Sequence, residues 1–131
     1  SGVTKLTEGG HAAYGGNYNP TWSPDGTKIA FDSGLWSSNP GGGGDSWWRE
    51  IYVMNADGSA RTRLTYTGSA EQTHWSLDPS WSPNGNGIVF ESNRDGDSHI
   101  YVMNADGSGQ TNISNGVGSC GCREDQPAWG P

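Results

Sequence analysis

Cationic side chains are scarce in this sequence. Seven lysines and arginines stand against 14 aspartates and glutamates, for a net charge of −7 and a pI of about 4.6. The seven are scattered, so the phosphate-neutralising surface that nucleic-acid binding requires is excluded. Cysteine is nearly missing as well: Cys120 and Cys122 are the only two. One Cys-x-Cys pair without further Cys or nearby His offers too few ligands for a zinc site. A disulfide across Gly121, a crosslink to another chain and two free thiols remain, and outside the cytosol a disulfide of some kind is favoured. No apolar run approaches the ~20 residues of a membrane span. No segment sustains a helical period. Hydrophobic residues make up 31% of the chain, low for a self-contained core, whereas 22 glycines and seven tryptophans are present.

What the chain does have is an internal repeat. Ile51-Tyr52-Val53-Met54-Asn55-Ala56-Asp57-Gly58-Ser59 recurs letter for letter from Ile100 to Ser108. Upstream, Pro20-Thr21-Trp22-Ser23-Pro24-Asp25-Gly26 matches Pro79-Ser80-Trp81-Ser82-Pro83-Asn84-Gly85, and Ile29-Ala30-Phe31 matches Ile88-Val89-Phe90. Downstream, Arg63-Leu64-Thr65 matches Asn112-Ile113-Ser114. The first unit is longer because 20 positions, not 10, separate its Phe from its Ile (Phe31 to Ile51, Phe90 to Ile100). Each unit reads as four strands: one around Trp22, then Lys28 to Asp32, Ile51 to Asn55 and Arg61 to Thr65. Short β-branched and aromatic runs alternate with Pro, Asn, Asp and Gly turn signals. An all-β fold of four-stranded antiparallel units of this length points to β-propeller blades.

Trp-Ser-Pro-Asp-Gly, Lys-Ile-Ala-Phe, Ile-Tyr-Val-Met-Asn-Ala-Asp-Gly-Ser and Arg-Leu-Thr together resemble the TolB-type propeller repeat, also called the PD40 or WD40-like repeat. The resemblance implies a fold and says little of function, since such propellers serve many roles. Blades are expected at about 20–65 and 79–114. The segment 1–7 aligns with the outermost strand of a blade and 127–131 with an innermost strand, so two complete blades are flanked by single strands. A propeller takes roughly 4–8 blades. Expected partners are therefore other copies of the chain or the remainder of a longer propeller. The composition suits an extracellular or periplasmic module.

Topology locates a functional face. In an up-and-down blade the first–second and third–fourth turns share one end, and here they are tight. The second–third connection and the links between blades share the other end, and here they are long, which is where loops tend to carry function. Candidate ligand-binding residues there are His11, Tyr14, Tyr18, Trp36, Trp47, Trp48, Tyr66, His74, Trp75, Arg123 and Glu124, with Asp45, Glu50 and Glu71 nearby. Aromatic rings among polar groups suit stacking on sugars or anchoring a protein. Trp22, Trp81 and Trp129 are repeat positions and are expected in the core.

No cofactor is expected. Calcium is the alternative, at Asn93, Asp95 and Asp97, where oxygen ligands alternate, but the glycine and glutamate of such a loop are missing and Asp-Gly is an ordinary hairpin signal. No Gly-x-Ser-x-Gly elbow appears. The expected function is non-catalytic recognition of a carbohydrate or protein on the long-loop face. The alternative is the propeller portion of a lyase or hydrolase, with His11 or His74 in an acid–base or metal site on the same face.

Overall fold

The two copies of the repeat fold alike because the same side chains close the same turns. The computed structural model describes residues 2–7, 16–37, 46–67, 74–114 and 129. The described residues hold eight strands: β1 (Asn17–Trp22), β2 (Lys28–Ser37), β3 (Ser46–Asn55), β4 (Thr62–Arg63), β5 (Ser76–Trp81), β6 (Gly87–Ser92), β7 (His99–Asn104) and β8 (Thr111–Asn112). They form two antiparallel sheets, β1-β2-β3-β4 and β5-β6-β7-β8. Strand order thus follows chain order, as the repeat predicts.

The β1–β2 turn is closed by Gly26 N–H on Ser23 O at 2.9 Å, with Gly26 at φ 71°. Asp25 Oδ1 accepts from Ser23 Oγ (2.7 Å), Thr27 N (3.0 Å) and Thr27 Oγ1 (2.8 Å). Those bonds favour its charged form and hold the carboxyl at about 2. Asn84 does the same work in the second sheet, accepting from Ser82 Oγ and Asn86 N. The β3–β4 and β7–β8 turns end in Gly58 (φ 88°) and Gly107 (φ 89°). These glycines answer a second demand. A Cβ on Gly107 would lie 3.2 Å from Leu64 O, and one on Gly58 would lie 2.7 Å from Leu6 O. Leu6 and Leu64 are repeat counterparts, so segment 2–7 lies against the first sheet as β4 and Leu64 lie against the second.

Both sheets start three residues earlier than the turn signals suggested, at Asn17 and Ser76 rather than Pro20 and Pro79. The reason is a bulge in each innermost strand. Pairing shifts register between Tyr18 and Thr21 and between Leu77 and Ser80. Asn19 (φ 51°) and Asp78 (φ 55°) supply the left-handed residue before each proline. Asn and Asp tolerate that region better than other side chains do.

The main core lies between the sheets. Ala30, Ile51, Val53 and Leu64 of the first meet Trp81, Ile88, Phe90, Tyr101 and Met103 of the second. A second cluster, Ile29, Phe31 and Met54 with Leu6 and Tyr52, covers the opposite face of the first sheet. Trp81 is buried and its Nε1–H donates to Thr21 O at 3.3 Å across the seam. Trp129 repeats that bond one unit on, to Ser80 O at 3.1 Å. The expectation that all three repeat tryptophans are core holds for Trp81 alone. Trp22 is 57% exposed and Trp129 39%, because only Trp81 has a described sheet on both sides of it.

Candidate functional site

The long-loop end departs most from the repeat. Ser33 to Glu50, expected as an inserted loop, is largely strand. The β2–β3 ladder continues past Ser33↔Glu50 through Gly34↔Arg49, Leu35↔Trp48, Trp36↔Trp47 and Ser37↔Ser46. In the second sheet the β6–β7 ladder stops at Ser92↔His99. The first sheet therefore carries a two-stranded arm with Trp36 and Trp47 directly paired in register. Trp48 is half-buried at its base.

Two exposed tyrosines flank the base of this arm. Tyr18, on β1, lies against Arg49, whose Cζ is 4.3 Å from the ring centroid. Arg49 is ion-paired to Asp32, which is fully buried. Burial pushes the Asp32 carboxyl up, against the pull of Arg49 and of Asn19, which donates to it at 2.9 Å. Asn19 also donates to Asp78 Oδ1, and Asp78 N–H to Asp32, so this knot ties the innermost strands of the two blades.

Tyr66, just beyond β4, lies against Arg63 at 4.3 Å. Arg63 is paired at 3.0 Å to Glu50, also fully buried. Glu50 further accepts from Thr65 Oγ1, Thr67 N (2.7 Å) and Thr67 Oγ1 (3.0 Å). Thr67 meets Ser76 at 3.1 Å, and Ser76 meets Ser92 at 3.1 Å, so the network crosses into the second sheet. Glu50, expected among the ligand-facing polar groups, is instead an internal anchor.

A third guanidinium position is filled in both blades from different places in the sequence. Arg61 lies over Tyr52 (4.6 Å) and Phe31 (5.2 Å) and donates to Ser33 Oγ at 2.8 Å and Asn17 Oδ1 at 3.2 Å. Its repeat counterpart is Gln110. There Arg94, from the β6–β7 turn, lies over Tyr101 (4.4 Å) and Phe90 (5.4 Å). It donates to Ser92 Oγ (3.1 Å), Ser76 Oγ (3.4 Å) and Gln110 Oε1 (2.6 Å). Gln110 in turn donates to Leu64 O of the first blade at 2.9 Å.

Trp75 is half-buried and clamped by its backbone. Its N–H donates to Asn93 Oδ1 at 2.7 Å, and its carbonyl accepts from Ser92 Oγ (3.0 Å) and Asn93 N (3.3 Å). Asn93, read as a calcium ligand, thus has its side-chain oxygen engaged. Asp95 accepts from the Tyr101 hydroxyl. Burial and Asp95 push that phenol up to about 12. Asp97 lies in the same turn, exposed. His74 is half-buried beside Trp75. Among the described residues, no three of His, Cys, Asp and Glu converge as a metal site. His11, Tyr14, Asp45, Glu71, Cys120, Cys122, Arg123 and Glu124 lie outside the described residues.

At the opposite end a cleft of about 620 Å³ opens over the seam, lined by Pro24, Lys28, Leu64, Trp81, Asn84 and Asp106 among others. Sequence reasoning missed it because turn residues far apart in the chain build it jointly.

Two stacked four-stranded sheets, sewn by an indole bond repeated at the same position, define a run of β-propeller blades. The description "TolB beta propeller domain" matches residues 11–131, and the chain belongs to that family. Among solved structures it is similar to a putative TolB from Agrobacterium tumefaciens, with 27% identity over 82% of this chain and a TM-score of 0.54. It is also similar in fold to TolB from Acinetobacter baumannii, with 23% identity over 73% of the chain and a TM-score of 0.50. The matched part is 32% of the first of these chains and 20% of the second.

Proposed function

We propose that this chain is a non-catalytic recognition and assembly module acting outside the cytoplasm, with its ligand held at the long-loop end. The observation that carries this reading is the asymmetry of the two blades. The second blade ends its central ladder at Ser92↔His99, whereas the first extends it into an arm with Trp36 and Trp47 in register. The extension is not needed to fold a blade, since the second folds without it. An extension that the blade does not need, carried at the end where the long connections meet, is characteristic of binding. Replacing Trp36, Trp47, Trp48 and Trp75 together by alanine is expected to abolish binding on arrays of glycans and of candidate protein ligands. Retention of that binding in the variant would refute the placement.

The assembly half of the reading rests on Trp22. Trp22 is 57% exposed on the outer face of the first blade, beside the cluster that Leu6 covers, in the position where Trp81 donates across a seam. A further blade, from another copy of the chain, is the cover that fits. Light scattering at micromolar concentration is expected to give a mass above the 13.9 kDa of one chain. A monodisperse species at 13.9 kDa counts against it.

A further inference from the structure

We propose that the ligand of the long-loop end is an uncharged oligosaccharide, stacked on the exposed faces of Tyr18 and Tyr66. The inference rests on the recognition reading above and names its ligand class. Tyr18 is 47% exposed and Tyr66 75%. Each ring has one face on a guanidinium at 4.3 Å. Each guanidinium is tied to a fully buried carboxylate, Arg49 to Asp32 and Arg63 to Glu50. The same stack of carboxylate, guanidinium and ring is thus built twice from unrelated positions of the repeat.

The second blade has neither stack. The counterparts of Tyr18, Arg49 and Asp32 are Leu77, Ser98 and Glu91, and those of Tyr66, Arg63 and Glu50 are Asn115, Asn112 and His99. A blade therefore folds without them, and what they add is two partly exposed rings, each held on a guanidinium, with Gly16 also close to the Tyr18 ring. A pinned aromatic face suits the apolar C–H face of a sugar ring, at little entropic cost on binding.

Charge narrows the class. Arg49 and Arg63 are neutralised by their carboxylates. Arg61 and Arg94 lie on aromatic rings, bonded to neutral oxygens. Among the described residues, then, every arginine of this end is already engaged, on a chain of net charge −7. Among the described residues, a uronate, sulfate or phosphate at this end would have to compete with those bonds for a guanidinium. Length is narrowed too. Tyr18 belongs to the innermost strand and Tyr66 follows the outermost, about three strand spacings, or roughly 14 Å, apart. A single sugar ring cannot touch both.

The test is titration of the full chain with uncharged gluco-, manno-, xylo- and N-acetylglucosamine oligosaccharides, beside polygalacturonate and heparin fragments. Tyr18→Ala and Tyr66→Ala are each expected to weaken binding of an uncharged oligomer about tenfold. Tyr18→Phe and Tyr66→Phe keep the ring and are expected to bind as the unaltered chain does. Both tyrosines are exposed, so melting curves should be unchanged and report folding independently. Binding confined to the anionic fragments, or binding indifferent to both alanine variants, overturns the proposal. Binding of a protein but of no glycan, lost in the Trp36, Trp47, Trp48 and Trp75 variant, overturns the glycan class while leaving recognition at this end intact.

Discussion

Replacing Glu50 by alanine is expected to destabilise the chain by about 4 kcal/mol, as removal of one member of a buried charge pair does. The carboxylate is fully buried and serves Arg63, Thr65 and both polar groups of Thr67. Its loss strands a half-buried guanidinium and a backbone N–H whose hydrogen-bond partner is gone. Glu50→Gln should also be costly, because an amide nitrogen would face donors. Set against a total of about 5–15 kcal/mol for a typical domain, a loss of that size leaves about 1–11 kcal/mol, so a clearly lower unfolding midpoint is expected. Urea denaturation followed by tryptophan fluorescence checks this. A change under about 1 kcal/mol would mean that water replaces the carboxylate without loss, contrary to its burial.

Arg94→Ala is expected to cost about 3 kcal/mol, from the stacking on Phe90 and Tyr101 and the bonds to Ser92, Ser76 and Gln110. The informative variant is the double one. The first blade fills the same position from Arg61, the counterpart of Gln110. Arg94→Ala combined with Gln110→Arg should therefore recover at least half of the loss. Gln110→Arg in the unaltered chain should be destabilising, since two guanidinium groups would compete for one site. A double variant as unstable as Arg94→Ala alone would show that the two positions are not interchangeable. A double-mutant cycle separates these outcomes, because residues in contact do not contribute additively.

The repeat made the strands, the tight turns and the two ends of the blade legible, because those features are shared and recur as letters. What was hidden lies where the copies differ. Gly34 and the glycine run after Pro40 look like loop, and no counterpart in the second unit shows that Ser33–Ser37 and Ser46–Glu50 extend a ladder. The Arg49–Asp32 and Arg63–Glu50 pairs join residues on different strands, so no local spacing reveals them. Arg94 and Arg61 do one job from positions that do not align, and an alignment scores them as unrelated. Trp22 shows the other side of the same lesson. A repeat position tells what a residue packs against in a stack, and its burial depends on whether the next layer is there. Of the candidate residues, Tyr18, Tyr66 and Trp75 share a position that strand order alone makes legible. They flank the innermost and outermost strands at the end where the long connections meet.

The indole bond between blades has a handedness of use. Trp81 gives a proton to Thr21 O, and Trp129 gives one to Ser80 O, so every seam has a giving side and a receiving side. Two giving sides placed together would bring indole N–H groups face to face with no carbonyl between them. A twofold dimer through these faces is therefore disfavoured, and layers add in one sense only, like steps of a spiral stair. Growth of that kind ends only when the accumulated rotation brings the first giving side round to the last receiving one.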